Sequence, residues 1–507
     1  MTNNPQTIDP TLLSKTLESP TTIDHTPSIV SIYDIRSTRR RLFILITLSF
    51  SGLILPFSDT VYLPALIEIE HDLHASTTLV DYTVSAYLIA AGVVGLLWGP
   101  LGDRYGRKII LLISFGFFVA FTIVCILARS IVVLLIFRAL QGGAISASFV
   151  VGQSVIVDIY RSENLGFAMG LFLVPLLVGP ILGPFIGGAL SNWLGWRSTF
   201  ITLAILAVLS AILILVFVPE THHYFVMKQL RNPTNKCCSN KKKIDAIEVQ
   251  EADSILKPRF MAPWRPFVFL FDITMAPHII ACNINYGCLF IILTLMSNRA
   301  SEEPYKLTPF IVGVCYIPTG ISSLVGSLLG GYVSDWSAKR FSRVMEGRLI
   351  LSLLGSLTCP IGLLICGWTF HFGVHIVVPI LGIVIFCFGE TFLFTSVCAF
   401  INVKKPAMAG ALLALLNSLS FTFAGVGLIV TVPLVKLINY GPLFSILAGL
   451  NFLIIIIATG VVLYQIRKSR IVILTSSNLN KEPWTLTDDA TTEKTLPIQR
   501  FSFSENT

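Results

Sequence analysis

The stretch GPLGDRYGRK, residues 99–108, joins two long apolar segments of the chain. Its charged side chains are too costly for the hydrocarbon of a membrane, whereas the flanking segments are long and apolar enough to cross one. The glycines at Gly99, Gly102 and Gly106 tolerate the tight turn and close helix approach that such a junction needs. This stretch, the first elbow, therefore predicts a short aqueous loop between two transmembrane helices.

A weaker copy of the pattern, GYVSDWSAKR at residues 331–340, lies in the second half of the chain, again between two apolar segments. In this second elbow Asp335 stands where the first elbow has Asp103. The repetition predicts two related bundles of helices. Internal repeats of this kind are typical of secondary transporters.

Of the 507 residues, 54% are hydrophobic and only 13% are charged, about half the charged fraction of a soluble domain. Twelve windows reach the length of about 20 apolar residues that a spanning helix needs. We therefore predict an all-α membrane protein with twelve transmembrane helices in two six-helix pseudo-repeat halves. The polar ends and linker have too little apolar surface to form a core, so both tails are expected to be disordered. The predicted boundaries are 1–41 for the N-terminus, 42–218 for the first half, 219–266 for the linker, 267–464 for the second half and 465–507 for the tail.

The basic residues predict the orientation in the membrane. They concentrate in the N-terminus, the even-numbered loops and the tail, and basic loops favour the cytosolic side. The odd-numbered loops hold Arg129, Arg197, Arg299, Lys306 and Lys436. Both termini are therefore predicted to be cytosolic. The formal charge of +8 follows from this topology and from lipid head groups, so we expect a lipid bilayer and no nucleic acid as partner.

The sequence lacks the motifs of enzymes and of metal sites. Eight of the ten cysteines fall in apolar segments, where cysteine behaves as a small hydrophobic residue. Cys237 and Cys238 lie beside three lysines in the linker. The sequence allows two interpretations of this pair, acylated cysteines at the membrane surface or unmodified ones. No nucleotide-binding loop, HExxH or GxSxG motif occurs. We expect no enzyme activity, no cofactor and no metal, and an ion gradient as the source of energy.

The charges and glycines of the elbows predict a conformational latch on the cytosolic side. Asp103 can cap the N-terminus of a neighbouring helix, and the basic side chains hold the loop in the interface. An ordinary basic loop is the alternative interpretation. The latch residues are Gly99, Gly102, Asp103, Arg104, Gly106, Arg107 and Asp335.

A second pattern lies in the fifth predicted helix. Small residues about every four positions form a groove for close helix packing, and prolines remove helical hydrogen bonds and permit a bend. The residues of this pattern are Gly170, Gly179, Gly183, Pro184, Gly187 and Gly188.

Three ionisable residues in predicted spans are candidates for proton coupling. Arg138 is a charge at membrane depth, which must be buried in the bundle and paired; it either takes part in coupling or anchors the helices. Glu390 lies near the middle of a span, where burial disfavours the charged carboxylate, as a proton carrier requires; a permanently neutral hydrogen-bond donor is the alternative. Asp59 lies about 18 residues beyond Arg41, about 27 Å along a helix, and is expected to be an entrance residue.

Polar and aromatic side chains on other spans are candidates for lining a substrate cavity. Alternatively, they satisfy one another within the bundle. They are Gln141, His278, Asn285, Tyr286, Asn417 and Phe421.

These motifs resemble those of the major facilitator superfamily. The first elbow resembles the signature of its loop between helices 2 and 3, Leu134 to Gly142 resembles its fourth-helix motif, and the fifth-helix glycines resemble the motif of its drug:proton antiporters. Further stretches resemble the fungal twelve-helix drug:proton antiporter group, near its quinidine-resistance and dityrosine-exporter members. These stretches are residues 62–66, 197–200 and 218–221.

The resemblance implies the major facilitator fold and a proton-coupled exporter of small amphipathic organic compounds or drugs. It implies alternating access to a cavity lined by helices 1, 4, 5, 7, 10 and 11, with the loop latch stabilising the outward-facing state. We expect a monomer in the plasma membrane. A proton-driven importer or facilitator of a small organic solute is an alternative, and a sensor or scaffold that does not transport is another.

Overall fold

The computed structural model describes residues 38–160, 162–222, 265–340, 345–405 and 409–479. Within these ranges the regular structure is helical, and twelve helical spans are long and apolar enough to cross a membrane. They are numbered here as spans 1 to 12. Their bounds are Arg39–Asp72, Thr77–Tyr105, Arg107–Leu127, Ile131–Ile159, Ala168–Leu194, Arg197–Phe217, Ala276–Ser301, Pro309–Arg340, Gly347–Phe372, Val377–Lys404, Gly410–Ile438 and Tyr440–Lys468.

Several spans are interrupted or extended. Span 1 consists of the helices Thr38–Thr60 and Leu66–Asp72, which flank a 3-10 turn. Span 8 is divided into Pro309–Cys315 and Ile317–Arg340. In span 9, the helices Ile350–Gly355 and Thr358–Phe372 follow one another. The helix of span 5 begins at Ser162, that of span 11 at Ala409, and that of span 12 continues to Leu479.

The prediction of twelve helical spans is confirmed, with one shifted boundary that matters. Span 2 begins at Thr77 rather than near residue 82, because Ser76 caps the helix and accepts a hydrogen bond from the backbone N–H of Leu79. Asp81 thereby lies inside the span. Most of both tails and of the linker, including Cys237 and Cys238, lies outside the described residues. The other eight cysteines are unpaired, and seven of them are buried.

The packing of the spans repeats between the two halves. In the first half, span 2 packs on span 4, span 3 on spans 4 and 6, and span 1 on span 5. In the second half, span 8 packs on span 10, span 9 on spans 10 and 12, and span 7 on span 11. Adding six to each number of the first set gives the second, so the two halves are pseudo-repeats of one bundle.

The halves meet along two pairs of spans, 2 with 11 and 5 with 8. Glycine permits the close approach in the first pair: a Cβ atom on Gly92 would lie 2.5 Å from the carbonyl oxygen of Ser418, and one on Gly425 would lie 2.7 Å from that of Ser85. Because the spans alternate in direction, span 1 begins and span 12 ends at the same face. We call this the terminal face and the other the opposite face.

The predicted groove on span 5 is present and holds span 1. A Cβ atom on Gly179 would lie 2.7 Å from Pro56, and Cβ atoms on Gly183 and Gly187 would overlap Thr60 and Val61 of the same span. Gly188, on the neighbouring face of the helix, packs against span 8 instead. Gly170 contacts nothing within 4 Å of the position of its missing Cβ. Three of the predicted glycines therefore form one packing face.

Gly187→Ala should destabilise the protein by about 1 to 3 kcal/mol or more, because the added methyl group meets a backbone carbonyl that cannot rotate away. Thermal unfolding of the purified protein in detergent measures the effect. Gly170→Ala is the matched control in the same span and should leave the melting temperature unchanged. Equal melting temperatures for both variants would contradict the predicted packing role of Gly187.

Candidate functional site

The first elbow ties the ends of three spans together at the terminal face. Gly106 ends span 2 with a φ of +103°, a conformation that L side chains rarely adopt. The guanidinium of Arg107 then pairs with Asp103, four residues back, at 2.7 Å and with Asp158 at the end of span 4 at 3.2 Å. The elbow is therefore a fixed turn, held by an arginine between two carboxylates.

Glu220, just after span 6, caps the N-terminus of span 3. Its carboxylate accepts hydrogen bonds from the backbone N–H groups of Arg107 at 2.9 Å and Lys108 at 3.2 Å. A negative charge is favourable at this position because the first N–H groups of a helix have no partner within the helix. The expectation that Asp103 caps a neighbouring helix is wrong: Asp103 pairs with Arg107, and Glu220 supplies the cap.

The remaining latch candidates make weaker contacts. Gly99 faces Val150 of span 4, and the guanidinium of Arg104 lies 5.3 Å from the centre of the Tyr105 ring. In the second elbow, Asp335 pairs with Arg348 at 3.3 Å, but the Asp335 side chain is 67% exposed, against 31% for Asp103. The second elbow is thus the looser of the two, in line with its weaker sequence pattern.

Arg138 is fully buried in the first half and is held from several sides. It donates hydrogen bonds to the carbonyl oxygen of Ser58 at 3.2 Å and to the side-chain oxygen of Gln141 at 2.6 Å. The rings of Tyr62 and Tyr87 each lie 4.2 Å from the guanidinium carbon. Gln141 in turn donates to Thr122 of span 3 at 2.6 Å. The planar guanidinium is therefore fixed between two aromatic faces.

Asp59 is fully buried beside this arginine, with which it interacts electrostatically. It is therefore not the solvent-facing entrance residue that its distance from Arg41 suggested. Among the residues that the structure describes, none donates a hydrogen bond of good geometry to either carboxylate oxygen. The neighbouring Thr60 hydroxyl donates to the carbonyl of Pro56 at 2.9 Å instead. Asp59 is thus a buried carboxyl whose main partner is a charge.

Glu390 lies in the wall of a small, partly open cavity of about 60 Å³. Of the described residues that line this cavity, Glu390 is the only one with an acidic or basic side chain; the others are mostly apolar or hydroxyl-bearing. Spans 5, 7, 8 and 10 contribute to it. They place around it Pro180, Tyr286, Phe290, Ser323 and Phe394. A lone carboxyl in an apolar and aromatic cavity is suited to an organic solute.

The arrangement of the spans and the two elbows agrees with a comparison of the sequence with known families. The family model described as Major Facilitator Superfamily matches residues 48–428. The chain belongs to the major facilitator superfamily. It is therefore a membrane transporter of this superfamily, as its elbows suggested.

Several fungal members of the superfamily are similar to this transporter. The MFS antiporter QDR3 of Candida albicans is 24% identical over 84% of this chain and 77% of its own length. The MFS antiporter QDR2 of the same fungus is 25% identical over 82% of this chain and 87% of its own length. The MFS transporter fsa7 of a Fusarium species is 30% identical over 70% of each chain. The predicted resemblance to fungal antiporters of the quinidine-resistance group is confirmed.

A solved structure supports the fold. The xylose transporter XylE from E. coli, in a partially occluded inward open conformation, superimposes on this transporter with a TM-score of 0.61. The superposition covers 83% of this chain and 97% of XylE, at 15% identity. The likeness confirms the major facilitator fold with its twelve transmembrane helices.

One of the predicted substrate-cavity residues of this transporter, Tyr286, lines the cavity. The ring of Phe421 packs edge to face on that of Tyr286 at 5.5 Å but is not part of the cavity wall. Asn417 donates a hydrogen bond to the carbonyl of Leu413 in its own helix. The cavity wall includes span 8, which the sequence did not indicate.

Like Asn417 and Phe421, the remaining three candidates do not line this cavity. Gln141 is engaged by Arg138, and Asn285 accepts a hydrogen bond from Asn451 of span 12. His278 is buried against the edge of Phe400, with no hydrogen-bond partner for either ring nitrogen among the described residues. For Gln141 and Asn285, the alternative that polar residues satisfy one another within the bundle is the one observed.

Three acidic residues with structural partners were not singled out from the sequence. Asp158 and Glu220 belong to the terminal-face network, and Asp81 is buried in span 2. Glu220 was noted only as part of a family-like stretch. Asp81 was missed because the span boundary was placed one residue after it.

Proposed function

We propose that this transporter exports small amphipathic or apolar organic compounds in exchange for protons by alternating access. The observation that carries the proposal is a buried carboxyl in each half, Asp59 beside Arg138 and Glu390 in the cavity wall. A carboxyl in a dry site favours its neutral form, and one that meets water can release its proton. Alternating access supplies both environments in turn.

Glu390 couples substrate to protons by competition. Because it is the only acidic or basic group among the described residues lining the cavity, Glu390 is the group that the polar part of an organic solute would contact there. The solute and the proton then compete for the same carboxylate oxygens. Mutual exclusion at one site is a sufficient basis for antiport. Each ligand then shifts the equilibrium between the two orientations of the transporter only through its different affinity for them.

Arg138 sets the balance of charge in the first half. Its guanidinium stays charged at any working pH, so an ionised Asp59 neutralises it and a protonated Asp59 leaves it as a net positive charge. Gain or loss of this proton changes the charge buried between spans 1 and 4, which share contacts with each other. Arg138 thereby links the protonation of Asp59 to helix packing.

The lining of the cavity supports the proposed substrate class. Its lining combines Phe290, Phe394 and Tyr286 with a few hydroxyls and one carboxyl, which fits a compound with a large apolar surface and a polar group. The names of QDR2 and QDR3 as antiporters support exchange over uniport. The clustering of basic residues in the tails and even-numbered loops supports cytosolic termini. We place the monomeric protein in the plasma membrane.

Transport into sealed inside-out vesicles tests this proposal. With an acidic lumen, vesicles that contain the protein should accumulate fluorescent amphipathic compounds from a diverse panel, and a protonophore should abolish the accumulation. Vesicles with the Asp59→Asn/Glu390→Gln variant are the control. Equilibration that ignores the gradient would indicate a facilitator, and uptake driven in the other direction would indicate an importer; either result would overturn the proposed export.

Asp103→Asn should slow turnover several-fold while leaving substrate binding within a few fold. The variant removes the partly exposed ion pair with Arg107, a contact worth about 1 kcal/mol or less, far from the cavity. Transport rates and equilibrium binding measured on the same preparation separate the two effects. Asp335→Asn, in the looser second elbow, is the matched control and should change turnover less. Loss of binding with normal turnover would refute the latch role.

A further inference from the structure

Asp81 and Asn298 form a buried hydrogen-bonded pair between the two halves. Asp81 lies one turn into span 2, and Asn298 lies near the end of span 7. The side-chain N–H groups of Asn298 face both carboxylate oxygens, at 3.0 Å and 2.9 Å. Both residues are almost fully buried, at 1% and 4% exposure. The pair belongs to neither the cavity wall nor the latch.

Two neighbouring contacts join the halves at the same face. The hydroxyl of Ser297 donates a hydrogen bond to the backbone carbonyl of Leu63 in span 1. The ammonium group of Lys436, near the end of span 11, donates to the hydroxyl of Thr78 in span 2 at 2.9 Å. All these groups lie at the opposite face, where spans 1, 7 and 11 end and span 2 begins. Hydrogen bonds therefore close the seam between the halves on that side.

The Asp81–Asn298 bond joins two side chains and is shielded from water, whereas the Lys436 contact is exposed. When the Asp81 carboxyl is ionised, it accepts a stronger hydrogen bond than a neutral group does. A buried carboxylate without its donor loses the full free energy of its hydration. Loss of either member of the pair therefore makes closure of the seam less favourable.

We propose that Asp81 and Asn298 are the gate pair that holds the opposite face closed, and that their bond breaks each time the transporter opens to that side. On opening, water replaces each partner, so neither group is left unpaired in either state. A polar pair suits a gate better than apolar packing would. Its two groups bond each other when the gate is closed and bond water when it is open. The inference rests on the alternating access of the proposed function.

Access of a thiol reagent to the cavity tests the gate directly. Leu293 lies in the cavity wall on span 7, five residues before Asn298, so Leu293→Cys reports whether a reagent has passed the gate. The full-length reporter protein is placed in sealed vesicles whose orientation is assigned by protease cleavage of an N-terminal tag. A charged, membrane-impermeant methanethiosulfonate is added at the opposite face. The parent protein without Leu293→Cys gives the background from native thiols.

Asn298→Leu keeps the size of the side chain and removes the donor, so it should raise the rate of Leu293→Cys modification about tenfold or more, equivalent to about 1.4 kcal/mol in the gate equilibrium. Exchange of the partners, Asp81→Asn with Asn298→Asp, restores an amide and a carboxylate and should return the rate towards that of the reporter. Ser420→Ala removes a hydrogen bond to Asn283 of span 7 within one half and should leave the rate unchanged.

An unchanged modification rate in Asn298→Leu would overturn the proposal, as would failure of the exchanged pair to restore protection in a protein that elutes as a single species. If Asn298→Leu does not fold, Asn298→Ser replaces it, because the shorter side chain cannot reach the carboxylate. The readout needs no substrate and no proton gradient. Failure of proton-driven export with a working gate would therefore refute the proposed function and leave the gate pair standing.

Discussion

Glu390→Gln should abolish proton-driven export while exchange of substrate across the membrane survives. Glutamine keeps the shape of the side chain and its hydrogen-bonding capacity but carries no titrating proton. Competition between substrate and proton at the cavity wall is then lost, and the gradient can no longer drive transport. Export against a concentration gradient and counterflow of labelled substrate, measured in the same vesicles, separate the two activities. We expect export against the concentration gradient to fall to background.

Thr391→Val is the matched control for this variant. Thr391 follows Glu390 in span 10 and also lines the cavity, but its hydroxyl donates to the carbonyl of Cys387 in its own helix at 2.9 Å. Its replacement alters the cavity wall without removing a titrating group, so gradient-driven export should persist. Full proton-driven export by Glu390→Gln would eliminate Glu390 as the carrier. It would leave Asp59 as the remaining buried carboxyl of the proposed coupling.

Arg138→Lys should preserve assembly and substrate binding yet lose most gradient-driven export. A lysine keeps the positive charge but cannot bond the Ser58 carbonyl and the Gln141 side chain with one planar group, nor lie flat between Tyr62 and Tyr87. The field at Asp59 therefore changes, and the pH optimum of the residual transport should shift. The measurement is the pH profile of transport for wild type and variant.

Arg138→Ala separates coupling from simple anchoring. It removes the charge next to the buried Asp59 and leaves the Gln141 oxygen without its donor. Breaking a buried charged pair in this way costs about 3 to 5 kcal/mol, so we expect poor folding. If Arg138→Lys transports normally at an unchanged pH optimum while Arg138→Ala only misfolds, Arg138 is a structural anchor.

The sequence by itself determined the class of the protein and its division into spans. The spans follow from the length of the apolar runs, because a helix in hydrocarbon must satisfy its own backbone and needs about 20 residues to cross. The two elbows revealed the duplication, since each combines charge and a turn at matching positions. The groove of Gly179, Gly183 and Gly187 was also predictable, because residues four apart share one face of a helix.

Only the tertiary structure decided which buried polar groups meet. Asp59 was expected at the entrance because depth was counted along one straight helix, whereas burial depends on the neighbours of that helix. Asp81 and Asn298 lie 217 residues apart, and Glu220 caps a helix that begins 113 residues earlier. Such pairs depend on how each span is rotated and how deep it sits against spans of distant sequence. Periodicity within a single helix cannot encode these relations, because they arise from packing between helices.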